Sequence, residues 1–294
     1  MKIVVCIPAK DEEKSIGKVI IDIKYAFLNY HDDYEIIVLN DGSKDNTAEE
    51  ARKHGAIVYS HQVNKGLAKT FNSEIKYSLK HQADIIVHTD ADGQYLAGEI
   101  PLLIDKIKEG YDLVLGSRFL GTIEEMPWLK RFGNKAFSRV VSHLTKLKIT
   151  DSQSGFRAFT KKVAEDIKIT SSFSYTQEQV IKASKNFWIT EVPVTFRKRD
   201  GKSRLMKNPF DYAIKAWINL LRLYRDYEPL KFFFFISLLF LIPGFLIGFI
   251  LLYWFFTTGM VYGKIPLVIL DAVLLLGGFQ ILLFGFIADK NENT

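Results

Sequence analysis

Up to about residue 115 the chain alternates short apolar runs with stretches in which apolar residues recur every three to four positions. The runs at 2–7, 35–39, 57–59, 84–89 and 112–115 predict strands, and the periodic stretches at 12–28, 47–54, 67–81 and 101–109 predict helices between them. Such alternation builds a largely parallel sheet with helices on both faces. Local signals agree: Asp45 or Asn46 stands where a helix cap belongs, Pro101 suits a first helical turn, and Gly110 suits a helix end.

Beyond this region the pattern changes. Residues 126–150 contain no acid, while Lys130, Arg131, Lys135, Arg139, Lys146 and Lys148 interleave with Trp128, Leu129, Phe132, Phe137, Val140, Val141 and Leu144. The pattern fits a basic interfacial helix over 127–148 at a membrane surface, or a core helix with a solvated basic face. After Pro209, the residues Asp211, Lys215, Asn219, Arg222 and Asp226 form a narrow polar stripe on an otherwise apolar helix, predicting an amphipathic juxtamembrane segment over 207–230.

From 231 to 290 the chain is apolar. Residues 232–256 carry no charge and 265–288 carry only Asp271, each long enough to cross a hydrocarbon core of about 30 Å. A buried helix pair in a soluble protein is the alternative. The connector is short, so two spans would form a transmembrane hairpin with both ends on one side. Lys207, Lys215, Arg222, Arg225, Lys231 and Lys290 crowd that side, against Lys264 alone in the connector. The positive-inside rule then makes the chain a multi-pass integral membrane protein whose α/β domain, residues 1–206, is cytoplasmic. Met1 and Lys2 lead straight into a strand, which leaves no place for a signal peptide.

The formal net charge of +6 suits anionic lipid or phosphorylated ligands. Nucleic acid is not an expected partner, because no nucleic-acid module signature accompanies the charge. The single cysteine, Cys6, excludes an internal disulfide and belongs in a buried strand. In the apolar part, Gly244 and Gly248 form a GxxxG that packs helices and would allow a homo-oligomer.

Polar residues follow the strands: Lys10-Asp11-Glu12-Glu13 after the first, Asn40-Asp41-Gly42-Ser43 after the second, Asp90-Ala91-Asp92 after the fourth, and Gly116-Ser117-Arg118 after the fifth. Open parallel sheets bind ligands beyond the carboxyl ends of their strands. On extended backbone, residues two apart face the same way, so Asp90 and Asp92 can share a hard cation that also takes phosphate oxygens. Each loop alone is ordinary turn chemistry; four at one edge are a candidate site. The lone residues His61, His81, His88 and His143 are assigned no catalytic part.

As an ordered set, these pieces resemble glycosyltransferase family 2, and within it the polyprenyl-phosphate (dolichyl-phosphate) hexosyltransferases of the dolichyl-phosphate mannose synthase kind. The further matches are Asn64-Lys65-Gly66-Leu67, Gln94, Ser154-Gly155-Phe156-Arg157, Glu191-Val192-Pro193 and residues 199–205. The resemblance implies a Rossmann-like GT-A fold that binds a nucleotide sugar, UDP- or GDP-hexose. It implies that Pro8, Glu12 and Asp41 hold the nucleoside. Asp90, Asp92 and Gln94 would bind Mg²⁺ or Mn²⁺ at the diphosphate, with Arg199 and Arg204 closing on it. The family usually has lysine at the position of Arg204, and a pair such as tyrosine-asparagine at Lys10-Asp11, so Lys10 receives no role. Asp92, Arg118 and Arg199 are the expected catalytic residues, and Arg118 and Arg131 would meet the acceptor phosphate. Gln177 or Glu178 would contact sugar hydroxyls, or Glu178 is simply an acid favoured at a helix start.

A lipid monophosphate is anionic near neutral pH, with its second ionisation near ~6, so its attack on the anomeric carbon needs no general base. The leading expectation is inverting transfer of a hexose to polyprenyl phosphate at the cytoplasmic membrane face. The alternatives are a transferase of the same fold acting on a glycan or protein acceptor, and a non-catalytic membrane adaptor.

Overall fold

The computed structural model describes residues 1–170, 175–198, 209–260 and 263–292. The chain divides into two compact units, Met1–Ile214 and Lys215–Thr294.

The first unit is built on a seven-stranded sheet. Its strands are β1 (Lys2–Ala9), β2 (Asp33–Asn40), β3 (Ile57–Ser60), β4 (Ile85–His88), β5 (Leu113–Ile123), β6 (Arg157–Thr160) and β7 (Ile189–Phe196), in the spatial order β3-β2-β1-β4-β6-β5-β7. All neighbouring pairs are parallel except those of β6, which runs antiparallel to both β4 and β5. Its helices are α1 (Ile16–Ala26), α2 (Thr47–Lys53), α3 (Leu67–Lys80), α4 (Ile100–Lys108), α5 (Trp128–Thr145), α6 (Lys161–Asp166) and α7 (Tyr175–Ala183). The helix α8 (Pro209–Tyr227) runs across the boundary between units.

Covering both faces of the sheet explains why β1 reads as one continuous apolar run rather than an alternating one. Ile3, Val5 and Ile7 pack into a core with Ile16, Val19, Ile20 and Ile23 of α1 and Ile100, Leu103, Ile104 and Ile107 of α4. Those α1 positions recur at helical spacing, and so form one stripe. Cys6 faces the opposite layer, where its sulfur lies 3.0 Å from Ser78 Oγ of α3.

The order of strands places a topological switch between β1 and β4. The chain leaves β1 for β2 and β3 on one side, then crosses back to β4 on the other, which parts the loops after β1 and β4 and opens a crevice there. Two expectations are corrected. The first helix begins at Ile16, leaving Glu12 in the turn that precedes it. Gly116, Ser117 and Arg118 are not a loop after the fifth strand: β5 continues through them because Gly116 and Ser117 pair with Val192 and Pro193 of β7. Pro193 is tolerated because β7 is an edge strand.

In the second unit, α9 (Pro229–Thr258) and α10 (Ile265–Glu292) are 30 and 28 residues long. At 1.5 Å per residue they span about 45 and 42 Å, enough to cross a bilayer. Glycines set their antiparallel register: Gly244 opposes Leu275, Gly248 opposes Asp271, Gly278 opposes Leu241 and Gly285 opposes Phe233. A Cβ at Gly278 would lie 2.6 Å from Leu241 Cδ2, and one at Gly244 2.8 Å from Leu275 Cδ2. The GxxxG face is therefore used inside the hairpin, which removes the argument it offered for a homo-oligomer.

Candidate active site

The loops that follow the parallel strands are interlocked by side-chain to backbone bonds. After β1, Asp11 adopts a left-handed conformation with φ 51°, which aspartate tolerates better than most residues. Its N–H donates to Ser43 Oγ at 2.9 Å, and its Oδ1 accepts from Lys44 N at 2.7 Å. Glu12 N donates to Thr47 Oγ1 at 2.8 Å, and Glu12 Oε2 accepts from Ser15 Oγ at 3.0 Å. The loop after β2 is thus fixed to the loop after β1. Gly42, with φ +68°, lets the loop after β3 come close, since a Cβ there would lie 2.7 Å from Asn64 N.

Asp41 joins the same two loops. Its Oδ1 accepts from Lys65 N at 2.8 Å and lies 2.9 Å from His61 Nδ1, while Oδ2 accepts from Gly66 N at 2.9 Å. Burial pushes its carboxyl pKa up, but the N–H groups of Lys65 and Gly66 together with His61 outweigh it and hold the group below its ordinary value. Asp41, expected to receive base or ribose, directs both oxygens to protein donors and holds the segment Asn64-Lys65-Gly66 in place. His61 is part of that brace, with its Nε2 3.0 Å from Ser73 Oγ.

Asp90 and Asp92 stand in a turn beyond β4, which ends at His88. The extended geometry expected of the pair gives way there to a bend at Gly93, φ +73°. Asp92 Oδ1 accepts from Gln94 N at 3.1 Å, an Asx-type contact that shapes the turn. Asp90 is half-buried, with His88 Nε2 3.9 Å from its Oδ1. Gly155 lies across from it, and a Cβ there would approach Asp90 Oδ1 to 3.0 Å and Oδ2 to 3.1 Å. Gln94, expected as a third metal ligand, donates from Nε2 to Arg197 O at 3.0 Å, and its backbone carbonyl accepts from Arg197 N at 2.8 Å, tying the turn to the end of β7.

No group of three His, Cys, Asp or Glu side chains converges as a metal site among the described residues. Two carboxylates still fit a hard divalent ion that takes its remaining oxygens from a diphosphate and water, as Mg²⁺ commonly does.

Arg118 lies on β5 as a buried residue, 4% exposed. Its Nε and Nη2 donate to Asp151 at 2.6 and 2.7 Å, and its backbone N–H donates to the same carboxylate at 3.0 Å. Nη1 stays outside that pair. Asp151 is positioned in turn by Glu191 of β7, which accepts from Asp151 N at 2.9 Å and from Thr150 N and Oγ1 at 2.8 Å. Burial raises the Glu191 pKa above its ordinary value despite these donors. The three residues form a brace across β5, the segment before β6, and β7. Asp151 escapes the sequence reading; its only signal is its place just ahead of the Ser154-Gly155-Phe156-Arg157 motif.

Arg131 is exposed on α5, whose inner face is Asn134, Phe137, Ser138 and Val141. The outer face carries Trp128 at 78% and Phe132 at 65% exposure beside Lys135 and Arg139. Glu178, a candidate for sugar contact, is buried and accepts from Thr170 N and Oγ1 at 2.8 Å, with Lys182 Nζ at 2.7 Å. Pro8 is the penultimate residue of β1, beside the crevice. Arg199 and Arg204 lie outside the described residues.

Comparison with known proteins agrees with this fold. The model of "Glycosyl transferase family 2" matches residues 4–168, more than half of the chain. A dolichyl-phosphate hexose transferase of Haloferax volcanii is 35% identical over 201 residues, covering 68% of this chain and 84% of that protein. Glycosyltransferase AglJ of the same organism is 28% identical over 291 residues, covering 97% of this chain and 92% of its own, so the likeness extends through the hairpin. Among solved structures, glucosyl-3-phosphoglycerate synthase from Mycobacterium tuberculosis in complex with Mn²⁺ and UDP-glucose superposes with a TM-score of 0.60 at 19% identity, covering 76% of this chain and 78% of that one. The mostly parallel sheet is thus the GT-A fold, and the chain belongs to glycosyl transferase family 2 as a glycosyltransferase.

Proposed function

We propose that the protein transfers a hexose from a UDP- or GDP-sugar to a polyprenyl or dolichyl phosphate at the cytoplasmic face of a membrane, with inversion at the anomeric carbon. The observation that carries this reading is the pair Asp90 and Asp92 at the switch between β1 and β4, in a chain that also ends in an apolar helical hairpin. The likeness to a dolichyl-phosphate hexose transferase supports the acceptor class.

Glu12 and Pro8 border the nucleoside end of the crevice, with Asp41 fixing the loop that walls it. Asp90 and Asp92 would hold Mg²⁺ or Mn²⁺, which supplies charge neutralisation at the departing diphosphate. The Mn²⁺ and UDP-glucose of the M. tuberculosis structure are consistent with a divalent ion in this fold. Arg199 and Arg204 are assigned to the diphosphate by their place in the family motif alone.

The acceptor is already a nucleophile, so the protein must gather two anions rather than remove a proton. Arg118, presenting Nη1 from its brace with Asp151, and Arg131 of α5 are proposed to receive the acceptor phosphate. Trp128 and Phe132 among basic residues give α5 the outer face of a helix that rests in an anionic lipid surface.

The test is transfer from radiolabelled nucleotide sugars to dolichyl phosphate by the full chain with Mg²⁺ or Mn²⁺. Asp92→Ala should abolish product and metal-dependent nucleotide binding with the fold intact. Glycosylation of free glycans in place of lipid phosphate would refute the acceptor assignment, and full activity in Asp92→Ala would refute the metal site.

A further inference from the structure

The polar side chains set deepest in α9 and α10 are Ser237, Asp271 and Gln280. Two of them are turned into the hairpin. Ser237 is fully buried and donates from Oγ to Phe234 O at 2.7 Å. Asp271 lies against Gly248 of α9, where a Cβ would come 3.4 Å from its Oδ1. Gln280 is different: it is exposed, and its amide has no hydrogen-bonding partner among the described residues.

Helix geometry gives the direction and depth of that amide. Gln280 follows Asp271 by nine residues, two and a half turns, so the two side chains stand on opposite sides of α10 and Gln280 faces away from α9. Val273, Leu276 and Phe284, at 61%, 67% and 60% exposure, lie within about 40° of it around the helix. Along the axis Gln280 is about 22 Å from Ile265 and about 13 Å from Asp289, too far for its side chain to reach a headgroup layer. An unpaired carboxamide in hydrocarbon is costly, and a leucine would meet lipid alone at lower cost.

Symmetry narrows what meets it. Copies of the chain inserted in the same direction hold each residue at the same depth, so a two-fold axis along the membrane normal brings Gln280 opposite Gln280. A carboxamide carries both donor and acceptor, and two of them can exchange a pair of hydrogen bonds. One turn away, a Cβ built on Gly277 would have nothing within 4 Å, which leaves the backbone there open to close approach from outside.

We propose that the face of α10 centred on Gln280 and Gly277 joins two copies of this chain within the bilayer through a symmetric pair of amide hydrogen bonds. The proposal rests on the reading of α9 and α10 as a membrane hairpin, and it uses a face other than the GxxxG face packed inside that hairpin.

The experiment is energy transfer between donor-labelled and acceptor-labelled full chains in phosphatidylcholine vesicles, followed as the protein-to-lipid ratio is lowered. The unaltered chain should associate, and Gln280→Leu should weaken association about tenfold, as interhelical hydrogen bonds do. Gln280→Asn keeps the amide and should retain most of the association, while Gly277→Leu should weaken it by bulk. Phe249→Leu, at a position of α9 that is 68% exposed, is the control for lipid-facing surface and should change nothing. Gln280→Leu makes the helix more apolar, so insertion is not at risk in the decisive variant. Equal association of Gln280→Leu and the unaltered chain would overturn the proposal, as would an inserted chain that stays monomeric at every ratio; both results leave the hairpin standing. Release of the unaltered chain from vesicles by alkaline carbonate would overturn the hairpin reading, and this proposal with it.

Discussion

Replacing Asp151 by alanine removes the carboxylate that takes two guanidinium bonds, at 2.6 and 2.7 Å, and one backbone bond from Arg118. The two side chains are 0% and 4% exposed, so water cannot replace what is lost. Breaking a pair this deeply buried leaves an uncompensated charge and costs about 3–5 kcal/mol. In a domain of this size each kcal/mol shifts Tm by about 2–4 °C, which puts the expected drop at roughly 6–20 °C. Tryptophan fluorescence of the full chain in detergent reads the transition, with transfer measured on the same samples. Combining Arg118→Met with Asp151→Leu removes both charges and should recover most of the stability, because buried pairs are often replaceable by apolar residues. It should not recover transfer, since the proposed contact with the acceptor phosphate is gone. A drop below about 1 kcal/mol in Asp151→Ala would refute the buried-pair argument. A stable double variant with full transfer would make Arg118 purely structural.

Two further outcomes follow from the geometry. Gly155→Ala brings a Cβ within 3.0 Å of Asp90 Oδ1, so the metal concentration for half-maximal transfer should rise with little change in nucleotide-independent stability; an unchanged metal titration would refute the crowding. Asp41 has a depressed pKa in the folded chain, so its stabilising contribution is present above the ordinary aspartate value of 3.8 and is lost as pH falls through the lower folded value. Asp41→Asn should therefore lower stability at neutral pH and flatten the acid limb of the stability profile; identical limbs in the two proteins would refute the assignment.

The β1 to β4 half of the sheet is legible in the sequence because its strands are uniformly apolar and its helices carry clear stripes. The segment from 151 to 198 is not. β6 is four residues long and starts with Arg157, whose burial is made possible by acceptors at Ser154, Thr176 and Gln179, the last two supplied by another element. Gly116-Ser117-Arg118 reads as a turn because the partners that bury it, Thr150 and Asp151, lie 33 residues away. The buried pair of Glu74 and His88, 2.6 Å apart, was within reach: Glu74 shares the inward stripe of α3 with Phe71, Ile75 and Ser78, and an acid on that stripe demands a buried partner. The site residues at strand ends were visible as a set, while their bonds to one another, such as those of Asp41 to Lys65 and Gly66, depend on loops the chain brings together only on folding.

Under the proposed function, the parting of β1 from β4 also bears on which base the crevice would accept. Their last pairing is Cys6 with His88, and Thr89 N still donates to Cys6 O at 3.1 Å, but β1 continues to Ala9 against β2 alone. Ala9 O accepts from Asp41 N on the β2 side, and alternate residues of a strand address opposite neighbours, so Pro8 addresses the side that β4 has vacated. Proline has no N–H, so the edge displays a carbonyl with no donor beside it. The ring N–H of uracil or guanine would meet such an edge, and so would the exocyclic amine of another base, while a ring nitrogen without hydrogen would be turned away. The donor that this edge would ask of a base then arises from the length of one ladder and a single missing hydrogen.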